Sequence, residues 1–311
     1  MYCATLPING AGGSRWQDRI EGTVTPEARL SRYTSFRVGG PAKYLVVPAT
    51  EGDVREVFAA GEEVFVMGAG TNLLVSDAGF DGIVLRICNA LMHVSVEEGA
   101  VTVGAGRALP SLVTSCTQMG LAGMEWAIGV PGTVGGATCT NAGAFGSEIW
   151  EFVEYVDVLT GEGAHRRVAP EEVAFAYRRA EFPLARPFAV TEVALKLTPS
   201  DPALVAKLTD EYRARRQESQ PVGEASAGSV FKNPPEGPSA GALIDQAGLK
   251  GMVRGGAAVS SKHANFIVNE GGAAARDIHG LIEEVRGRVE DEFGVTLELE
   301  VQLLGEFGDD G

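Results

Sequence analysis

The amino-acid sequence predicts an α+β protein of more than one domain, and three patterns support this prediction. Apolar runs of strand length flank a helical pattern near the N-terminus, which is typical of a βαβ unit. Residues 83–106 alternate between apolar and polar positions, as consecutive strands do. The C-terminal third combines helices with short strands, which predicts a compact α+β domain. At 311 residues, the chain is long enough for two or three domains.

Composition and charge exclude several classes of protein. No run approaches the roughly 18 apolar residues that a membrane-spanning helix needs. Residues 1–23 lack the apolar core of a secretory signal, so we interpret them as a loosely ordered extension. The net charge of −15 argues against a nucleic-acid partner, which needs a basic surface. The four cysteines and four histidines show no disulfide or metal-ligand spacing, which predicts a cytoplasmic protein without a metal site.

The first predicted unit ends in a glycine loop. A strand over Lys43–Val47, a helix over Glu51–Ala60 and a strand over Val64–Met67 precede the loop Gly68–Asn72. After this loop the apolar run resumes at Leu73. Backbone amides in such a loop, together with the hydroxyl of its threonine, could bind a pyrophosphate. A plain hairpin turn is equally compatible with the sequence.

The middle of the chain predicts further strands and one helix. Leu109–Met119 has helical spacing and stops at Gly120. Val153–Leu159 and Ala189–Leu197 are strand-like, and Pro199–Pro202 is typical of a domain linker.

A glycine-rich, apolar stretch, Trp126–Gly146, dominates the sequence. It contains six glycines and almost no charge. Glycine lets a backbone approach a ligand closely, so we interpret this stretch as the contact surface of a dinucleotide cofactor. Tight packing of buried turns is the alternative. The spacing differs from the GxGxxG pattern that Rossmann folds use.

Two clusters of polar residues interrupt apolar surroundings. Tyr177 and Arg178 lie in FAYRRAEFP, and Ser229, Lys232 and Asn233 lie in AGSVFKNP. An isolated arginine in such a place is more often part of a surface ion pair than a ligand, and a serine beside glycine most often belongs to a turn or cap. The sequence has no histidine close to the serine and no GxSxG motif, which argues against a Ser-His-Asp triad.

The C-terminal region predicts three helices and three strands. A charged helix over Leu204–Gln217 comes first, and a long amphipathic helix over Arg276–Phe293 ends at a glycine. Between them we expect a helix over Ala240–Ala247 and strands over Val259–Ser261 and Phe266–Val268. Thr296–Leu304 alternates as a final strand, with one face formed by Leu297, Leu299, Val301 and Leu303 and the other by Glu298, Glu300 and Gln302. Periodicity alone does not say which carboxylate matters, and a solvated sheet face is the alternative.

Six motifs occur in an order that resembles one enzyme family. In chain order they are YTSFRVGGPA, GAGTNLLV, GVPGTVGGATCTNAGAFG, YRRAEF, AGSVFKNP and LELEVQLLG. The succession spans nearly the whole chain and resembles the UDP-N-acetylenolpyruvoylglucosamine reductases, flavoenzymes of early peptidoglycan synthesis. The segment between Arg178 and Ser229 is short, as in the type II enzymes, which lack an insertion that carries a substrate-clamping tyrosine.

The resemblance implies an FAD-binding fold of the vanillyl-alcohol-oxidase (PCMH) type. Two α+β subdomains, residues 24–90 and 91–200, would hold FAD between them, and an α+β domain over residues 204–306 would bind the substrate. Non-covalent FAD is expected because the first glycine loop has no histidine or cysteine, although Cys139 lies in the second. The implied FAD contacts are Gly68, Ala69, Gly70, Thr71, Asn72, Leu73, Pro131, Gly132, Thr133, Gly135, Gly136, Asn141 and Gly143.

The resemblance also implies a reaction. NADPH would reduce FAD, and a hydride would then reach the enolpyruvyl group of UDP-N-acetylglucosamine enolpyruvate to give UDP-N-acetylmuramate. Arg178 and Glu300 match the family's catalytic arginine and glutamate, and Ser229 matches its proton donor. A carboxylate would repel the dianion that forms, so Glu300 must be protonated or share a proton. The implied substrate contacts are Tyr177, Lys232 and Asn233, with Arg215 or Arg216 at the phosphates.

Two other functions are compatible with parts of the sequence. One is an FAD-dependent oxidase of a sugar or alcohol, and the other is a non-catalytic nucleotide-binding protein. The combination of Arg178, Ser229 and Glu300 argues against both, because neither needs an enolate-stabilising pair with a proton donor. We expect a cytoplasmic monomer with neither a nucleic-acid nor a membrane partner.

Overall fold

The computed structural model describes residues 15–88, 90–97 and 100–308. Residues 1–14 of the predicted extension lie outside this range. The rest of the extension is not loose, because Trp16–Arg19 forms a 3-10 turn. Trp16 packs edge-on against Tyr44, with 5.3 Å between the ring centroids. No helix within the described ranges is long and apolar enough to cross a membrane.

The N-terminal unit contains the predicted βαβ arrangement. Its sheet has the order β1-β2-β5-β3, in which β2 and β3 both run parallel to β5 between them. The elements are β1 (Thr23–Arg29), β2 (Pro41–Val47), α1 (Glu51–Phe58), β3 (Val64–Met67), β4 (Leu73–Val75) and β5 (Phe80–Arg86). Helix α1 begins after Thr50, whose hydroxyl accepts the N–H of Asp53 at 3.3 Å as an N-cap. The buried residues of the helix pack with those of β2 and β5.

The middle unit is built on an antiparallel sheet of five strands. Its first elements are β6 (Val94–Glu97), β7 (Ala100–Gly104), α2 (Leu109–Gln118), β8 (Leu121–Ala122), α3 (Val134–Thr140), β9 (Gly143–Ala144) and β10 (Ser147–Glu148). They are followed by β11 (Val153–Thr160), β12 (His165–Val168), β13 (Ala174–Ala176), β14 (Arg179–Glu181), β15 (Phe188–Lys196) and β16 (Thr198–Pro199). The sheet order is β12-β11-β15-β7-β6.

The segment predicted as a linker, Pro199–Pro202, is largely structured. Strand β16 pairs with β8, and helix α4 (Pro202–Ser219) begins directly after the Asp201 cap. Between β14 and Ser229 the chain forms only β15, β16 and α4, which leaves no inserted unit in this segment.

The C-terminal unit packs two helices against a small antiparallel sheet. After α4 come α5 (Ala240–Gln246), β17 (Val253–Arg254), β18 (Ala257–Val259), β19 (Ile267–Asn269), α6 (Ala275–Phe293) and β20 (Gln302–Leu304). The two short strands predicted here are present, displaced by one or two residues. Helix α6 buries one face, as its periodicity predicts, and ends at Gly294 with φ of 66°.

The prediction of one continuous strand over Thr296–Leu304 is wrong. Only β20 has regular strand pairing, parallel to β4, whereas Leu299 upstream pairs with Phe231. Because the chain changes partner near Val301, the alternation shifts, and Leu303 is 38% exposed while Leu304 is buried. Glu300 therefore lies where the chain passes from the C-terminal unit to the N-terminal unit.

Three apolar clusters form the core, and two of them join units. The largest combines residues of β2, α1 and β5 with most of the middle unit. The second combines the C-terminal unit with Phe36, Val38 and Leu74 of the N-terminal unit. The third fills the N-terminal unit itself. The domain boundaries expected from the resemblance stay predictions, and the packing across them is continuous.

Candidate active site

The two glycine loops, predicted from separate parts of the sequence, lie side by side. The Thr71 hydroxyl donates to the carbonyl of Pro131 at 3.3 Å. A Cβ placed on Gly68 would lie 2.6 Å from Thr133 Oγ1, and one on Gly132 would lie 3.3 Å from Thr71 Oγ1. The loops therefore form one continuous surface between the N-terminal and middle units.

This surface has the unpaired amides that an anion requires. Within the described part of the chain, none of the backbone N–H groups of Gly68–Asn72 donates a hydrogen bond, and neither do those of Gly132 and Thr133. Gly70 has φ of 69°, and a Cβ there would lie 2.3 Å from the carbonyl oxygen of Tyr33. Free amides on a backbone that is rich in glycine fit the pyrophosphate of a dinucleotide such as FAD.

Other predicted cofactor residues have packing contacts within the protein. The amide of Gly135 donates to the carbonyl of Ala105 at 2.9 Å, and a Cβ on Gly135 would lie 2.8 Å from the Ala105 Cβ. The amide of Gly136 donates to Thr133 Oγ1 at 3.2 Å, which caps α3. Leu73 is buried in β4. Tight packing is thus one reason for the glycine at position 135, and cofactor contact at these positions stays a prediction.

Arg178 lies at the tip of a tight hairpin. Ala176 and Arg179 pair across strands β13 and β14, so Tyr177 and Arg178 form a two-residue loop. Arg178 has φ of 55°, a left-handed conformation that is unfavourable for a residue with a Cβ. Its guanidinium lies 4.8 Å from the centre of the Tyr177 ring. Such local strain is typical of functional positions.

The Arg178 guanidinium is held by partners from two units. Its Nε donates to Glu300 Oε1 at 2.9 Å, and its Nη2 donates to the carbonyl of Gly143 at 2.7 Å. A Cβ on Gly143 would lie 3.1 Å from the arginine Nη1. Gly143, predicted as a cofactor contact, therefore provides room for the arginine. Arg178 does form an ion pair, which was the alternative to a ligand-binding role. However, its side chain is only 19% exposed, and its partner Glu300 is another predicted site residue.

Asn141, also predicted as a cofactor contact, supports the same hairpin. It is fully buried with φ of 47°, and its amide donates to Glu148 Oε2 at 2.7 Å and to the carbonyl of Ala176 at 2.9 Å. Glu148 Oε1 lies 3.9 Å from Arg178 Nη1. Asn141 and Glu148 thus connect α3 to the arginine. Glu148 was not predicted, because no periodicity distinguishes it.

Glu300 has the electrostatic setting that its proposed chemistry needs. Burial raises the pKa of its carboxyl, although the charges of Arg178 and Lys232 act in the opposite direction. The Asn72 side chain donates to the Glu300 backbone carbonyl at 3.0 Å, which ties the residue to the first glycine loop. The neutral form of the carboxyl is therefore favoured relative to a carboxyl in water.

Ser229 directly precedes Val230, the residue whose backbone pairs with that of Glu300. The N–H of Glu300 donates to the carbonyl of Val230 at 2.8 Å. The Ser229 hydroxyl makes no hydrogen bond with any described residue, so it is free to donate to a ligand. Lys232 forms an ion pair with Glu298.

The remaining predicted substrate residues differ in exposure. Asn233 Oδ1 accepts the N–H of Ala240 at 3.1 Å and so caps α5, while its amide N–H groups stay available. Arg215 is exposed, whereas Arg216 is buried, and burial followed by the charge of Arg178 lowers its pKa. The charge of Arg178 therefore acts on the buried Arg216 guanidinium.

Cys139 lies in the second glycine loop and is the residue there that could attach a flavin covalently, but its thiol is a poor nucleophile. Burial raises the pKa of its thiol to about 11, with a smaller opposing effect from Arg186. The thiol is therefore protonated at neutral pH, which agrees with a non-covalent cofactor.

Comparisons with known proteins agree with this arrangement. Residues 220–304 match the family model described as UDP-N-acetylenolpyruvoylglucosamine reductase, C-terminal domain, and residues 42–169 match the one described as FAD binding domain. UDP-N-acetylenolpyruvoylglucosamine reductase 2 of Symbiobacterium thermophilum is 44% identical over 291 residues, which cover 92% of this chain and 94% of the relative. The reductase of Nostoc punctiforme is 41% identical, with coverages of 92% and 87%.

A solved structure has the same fold. The crystal structure of UDP-N-acetylenolpyruvylglucosamine reductase from Thermus caldophilus is similar with a TM-score of 0.78 and 37% sequence identity. The similarity covers 92% of this chain and all of that chain.

Proposed function

Because the chain belongs to the UDP-N-acetylenolpyruvoylglucosamine reductase family, we propose that Arg178, Ser229 and Glu300 form its catalytic centre. The protein is an FAD-dependent oxidoreductase with a fold of the vanillyl-alcohol-oxidase type. It uses NADPH to reduce the enolpyruvyl group of the UDP-N-acetylglucosamine derivative, a step in peptidoglycan precursor synthesis. The observation that carries the proposal is the 2.9 Å contact between Arg178 and a Glu300 carboxyl whose pKa is raised.

The two glycine loops would hold the cofactor without a covalent bond. The free amides of Gly68–Asn72, Gly132 and Thr133 would donate to the pyrophosphate, and Pro131 would fix the second loop beside the first. When bound there, FAD would supply the hydride-transfer chemistry between NADPH and the enolpyruvyl carbon. The chain's own residues must therefore place the substrate and manage its charge.

Arg178 and Glu300 would stabilise the charge that appears on the substrate carboxylate. Hydride addition to an enol ether is favourable only if the resulting dianionic enolate is stabilised, and one well-placed donor contributes about 3–4 kcal/mol. Arg178 supplies a positive charge. Glu300 can act as a second donor only in its neutral form, and the direction of its pKa shift favours that form.

Ser229 would donate the proton that completes the reduction. Its hydroxyl has no hydrogen-bond partner among the described residues, and the next residue, Val230, accepts the backbone N–H of Glu300. A serine hydroxyl is a weak acid, so a nearby positive charge such as that of Lys232 would help it to release the proton.

The substrate would extend from this centre over residues of the middle and C-terminal units. Tyr177, Lys232 and the amide N–H groups of Asn233 would bind the sugar nucleotide. Burial, and then the charge of Arg178, lower the pKa of Arg216, which indicates that its guanidinium lies near Arg178. Arg216, rather than the exposed Arg215, would therefore lie near the phosphates. We propose that the enzyme acts in the cytoplasm as a monomer.

An anaerobic absorption experiment tests the proposal. The purified protein should be yellow, lose its flavin absorbance with NADPH, and regain it with UDP-N-acetylglucosamine enolpyruvate. Ser229→Ala should keep the NADPH step and slow the substrate step by about 100-fold or more. Arg178→Ala should do the same and also weaken substrate binding. A flavin that is reoxidised only by oxygen would overturn the substrate assignment, and normal turnover of Ser229→Ala would remove Ser229 from its role.

A further inference from the structure

The segment that carries Ser229 lies between two other stretches of chain. On one side, the N–H of Glu300 donates to the carbonyl of Val230, and the N–H of Lys232 donates to the carbonyl of Glu298, both at 2.8 Å. On the other side, the N–H of Val230 donates to the backbone carbonyl of Asn265 at 2.8 Å. The segment is therefore an extended stretch between two neighbours, and its register relative to Glu300 depends on both.

Phe231 has no backbone partner on the Asn265 side, and a side chain takes that place. Phe231 and Leu299 form a non-hydrogen-bonded antiparallel pair, so the N–H and carbonyl of Phe231 point away from Leu299. Asn265 Oδ1 accepts the N–H of Phe231 at 3.0 Å, and Asn265 Nδ2 donates to the carbonyl of Phe231 at 2.8 Å. Both residues are buried, at 4% and 1% exposure, so water cannot replace these bonds. The amide of Asn265 thus extends the pairing by one residue.

On this geometry we propose that Asn265 is a positioning residue for the proton donor Ser229, an inference that rests on the proposed function. Side chains alternate along an extended segment, so a slip of one residue would turn the Ser229 hydroxyl to the opposite face. The side-chain amide of Asn265 bonds both the N–H and the carbonyl of one residue, Phe231. It therefore holds the register two positions after Ser229, where backbone pairing on the Asn265 side has ended.

Asn265 is itself oriented by its own segment. Its backbone N–H donates to His263 Nδ1 at 3.3 Å, and its Cβ lies 3.6 Å from where a Cβ on Gly241 would be. The amide therefore has little freedom to turn. A buried, hydrogen-bonded asparagine can also serve the fold alone, so the test must separate the two roles.

A double-mutant cycle on the two half-reactions makes this separation. Asn265→Ala, Ser229→Ala and the double variant would be prepared with FAD bound, and each half-reaction would be followed anaerobically by flavin absorbance. Asn265→Ala should reduce FAD with NADPH within about twofold of wild type and slow the substrate step by on the order of tenfold to a hundredfold. The double variant should be no slower in the substrate step than Ser229→Ala, because Asn265 acts through Ser229.

Each outcome decides one claim. A normal substrate step in Asn265→Ala, or a double variant slowed by the product of both factors, would overturn the positioning role. Equal slowing of both half-reactions in Asn265→Ala would make the residue merely structural. If Ser229→Ala itself reacts normally, the Ser229 role in the proposed function fails instead.

Asn265→Asp provides a second test if the alanine variant does not fold. A neutral aspartic acid can accept from and donate to Phe231 as asparagine does, whereas an ionised one cannot donate. The substrate step of this variant, divided by the wild-type rate at each pH, should recover as the pH falls. The wild-type profile controls for the charged groups of the surrounding segments, which are Lys232, Lys262, His263, Glu298, Glu300 and, on α5, Asp245. A ratio near one at every pH would overturn the inference.

Discussion

Gly68 lies where the two glycine loops touch, and an alanine there tests whether that contact shapes the cofactor site. The added Cβ would lie 2.6 Å from Thr133 Oγ1 but 3.7 Å from Thr133 Cβ and Cγ2, so only the hydroxyl causes the overlap. Thr133 is 2% exposed, and its Oγ1 caps α3 through the N–H of Gly136. Turning the hydroxyl away costs about 1 kcal/mol of capping energy. Moving the loop instead displaces the free amides of Gly68–Asn72.

We therefore expect Gly68→Ala to weaken FAD binding by roughly fivefold or more, since 1.4 kcal/mol corresponds to about tenfold. Titration of the apoprotein with FAD measures the change. Thr133→Ala loses the cap but removes the overlapping atom. The double variant should consequently bind FAD no more weakly than Thr133→Ala alone.

Additive losses in this cycle would refute the reasoning, because the Thr133 hydroxyl would then not be the atom with which the alanine collides. Gly287→Ala is the matched control. This glycine lies in α6 with no atom within 4 Å of the added Cβ. The control should keep wild-type FAD affinity, and its fold should gain up to about 1 kcal/mol from the higher helix propensity of alanine.

Three further substitutions have defined outcomes. Glu300→Gln should lose most substrate reduction and yet raise the free energy of unfolding at neutral pH, because burial raises the pKa of the Glu300 carboxyl. Urea titrations should show that this gain disappears below pH 4.5, the ordinary pKa of a glutamate. A gain that persists below that pH would contradict the assignment. Asp53→Asn should destabilise the fold by about 2–3 kcal/mol at neutral pH. Burial alone would raise the pKa of Asp53, but four backbone N–H donors lower it overall. The stability lost in the variant should therefore shrink as the pH falls below 3.8. Equal stability of the variant and the wild type at pH 7 would contradict this prediction. Arg178→Lys keeps the charge but replaces the two separate nitrogens that donate to Glu300 and to the Gly143 carbonyl with one nitrogen on a flexible chain. Single-turnover substrate reduction should therefore slow by about tenfold or more while reduction by NADPH stays normal.

Elements that carry their own periodicity could be predicted from the sequence. Helix α6 begins one residue before the predicted Arg276, and β3 matches its predicted bounds. Helix α3 was not predicted, because Val134–Thr140 contains glycines and β-branched residues of low helix propensity. It depends on contacts that local sequence does not reveal, namely the Thr133 cap and the close packing of Gly135 on Ala105.

The site was predictable only in part. Arg178 and Glu300 are 122 residues apart, so no spacing rule joins them, and only the order of the motifs placed both in one centre. Glu148 and Asn265 were missed because a side-chain hydrogen bond between distant segments leaves no periodic trace. The predicted final strand failed for a related reason, since Val301 separates two different pairing partners.

The pairing of β20 with β4 has a consequence for engineering. Ser229 and Glu300 belong to the C-terminal unit, but the core of that unit includes Phe36, Val38 and Leu74 from the N-terminal unit. The C-terminal unit is therefore not an independent module. A chimaera that joins it to a foreign FAD-binding domain would leave β20 without its neighbour and open the apolar core to water. Successful exchange would have to carry the host segments around Phe36 and β4 along with the catalytic residues.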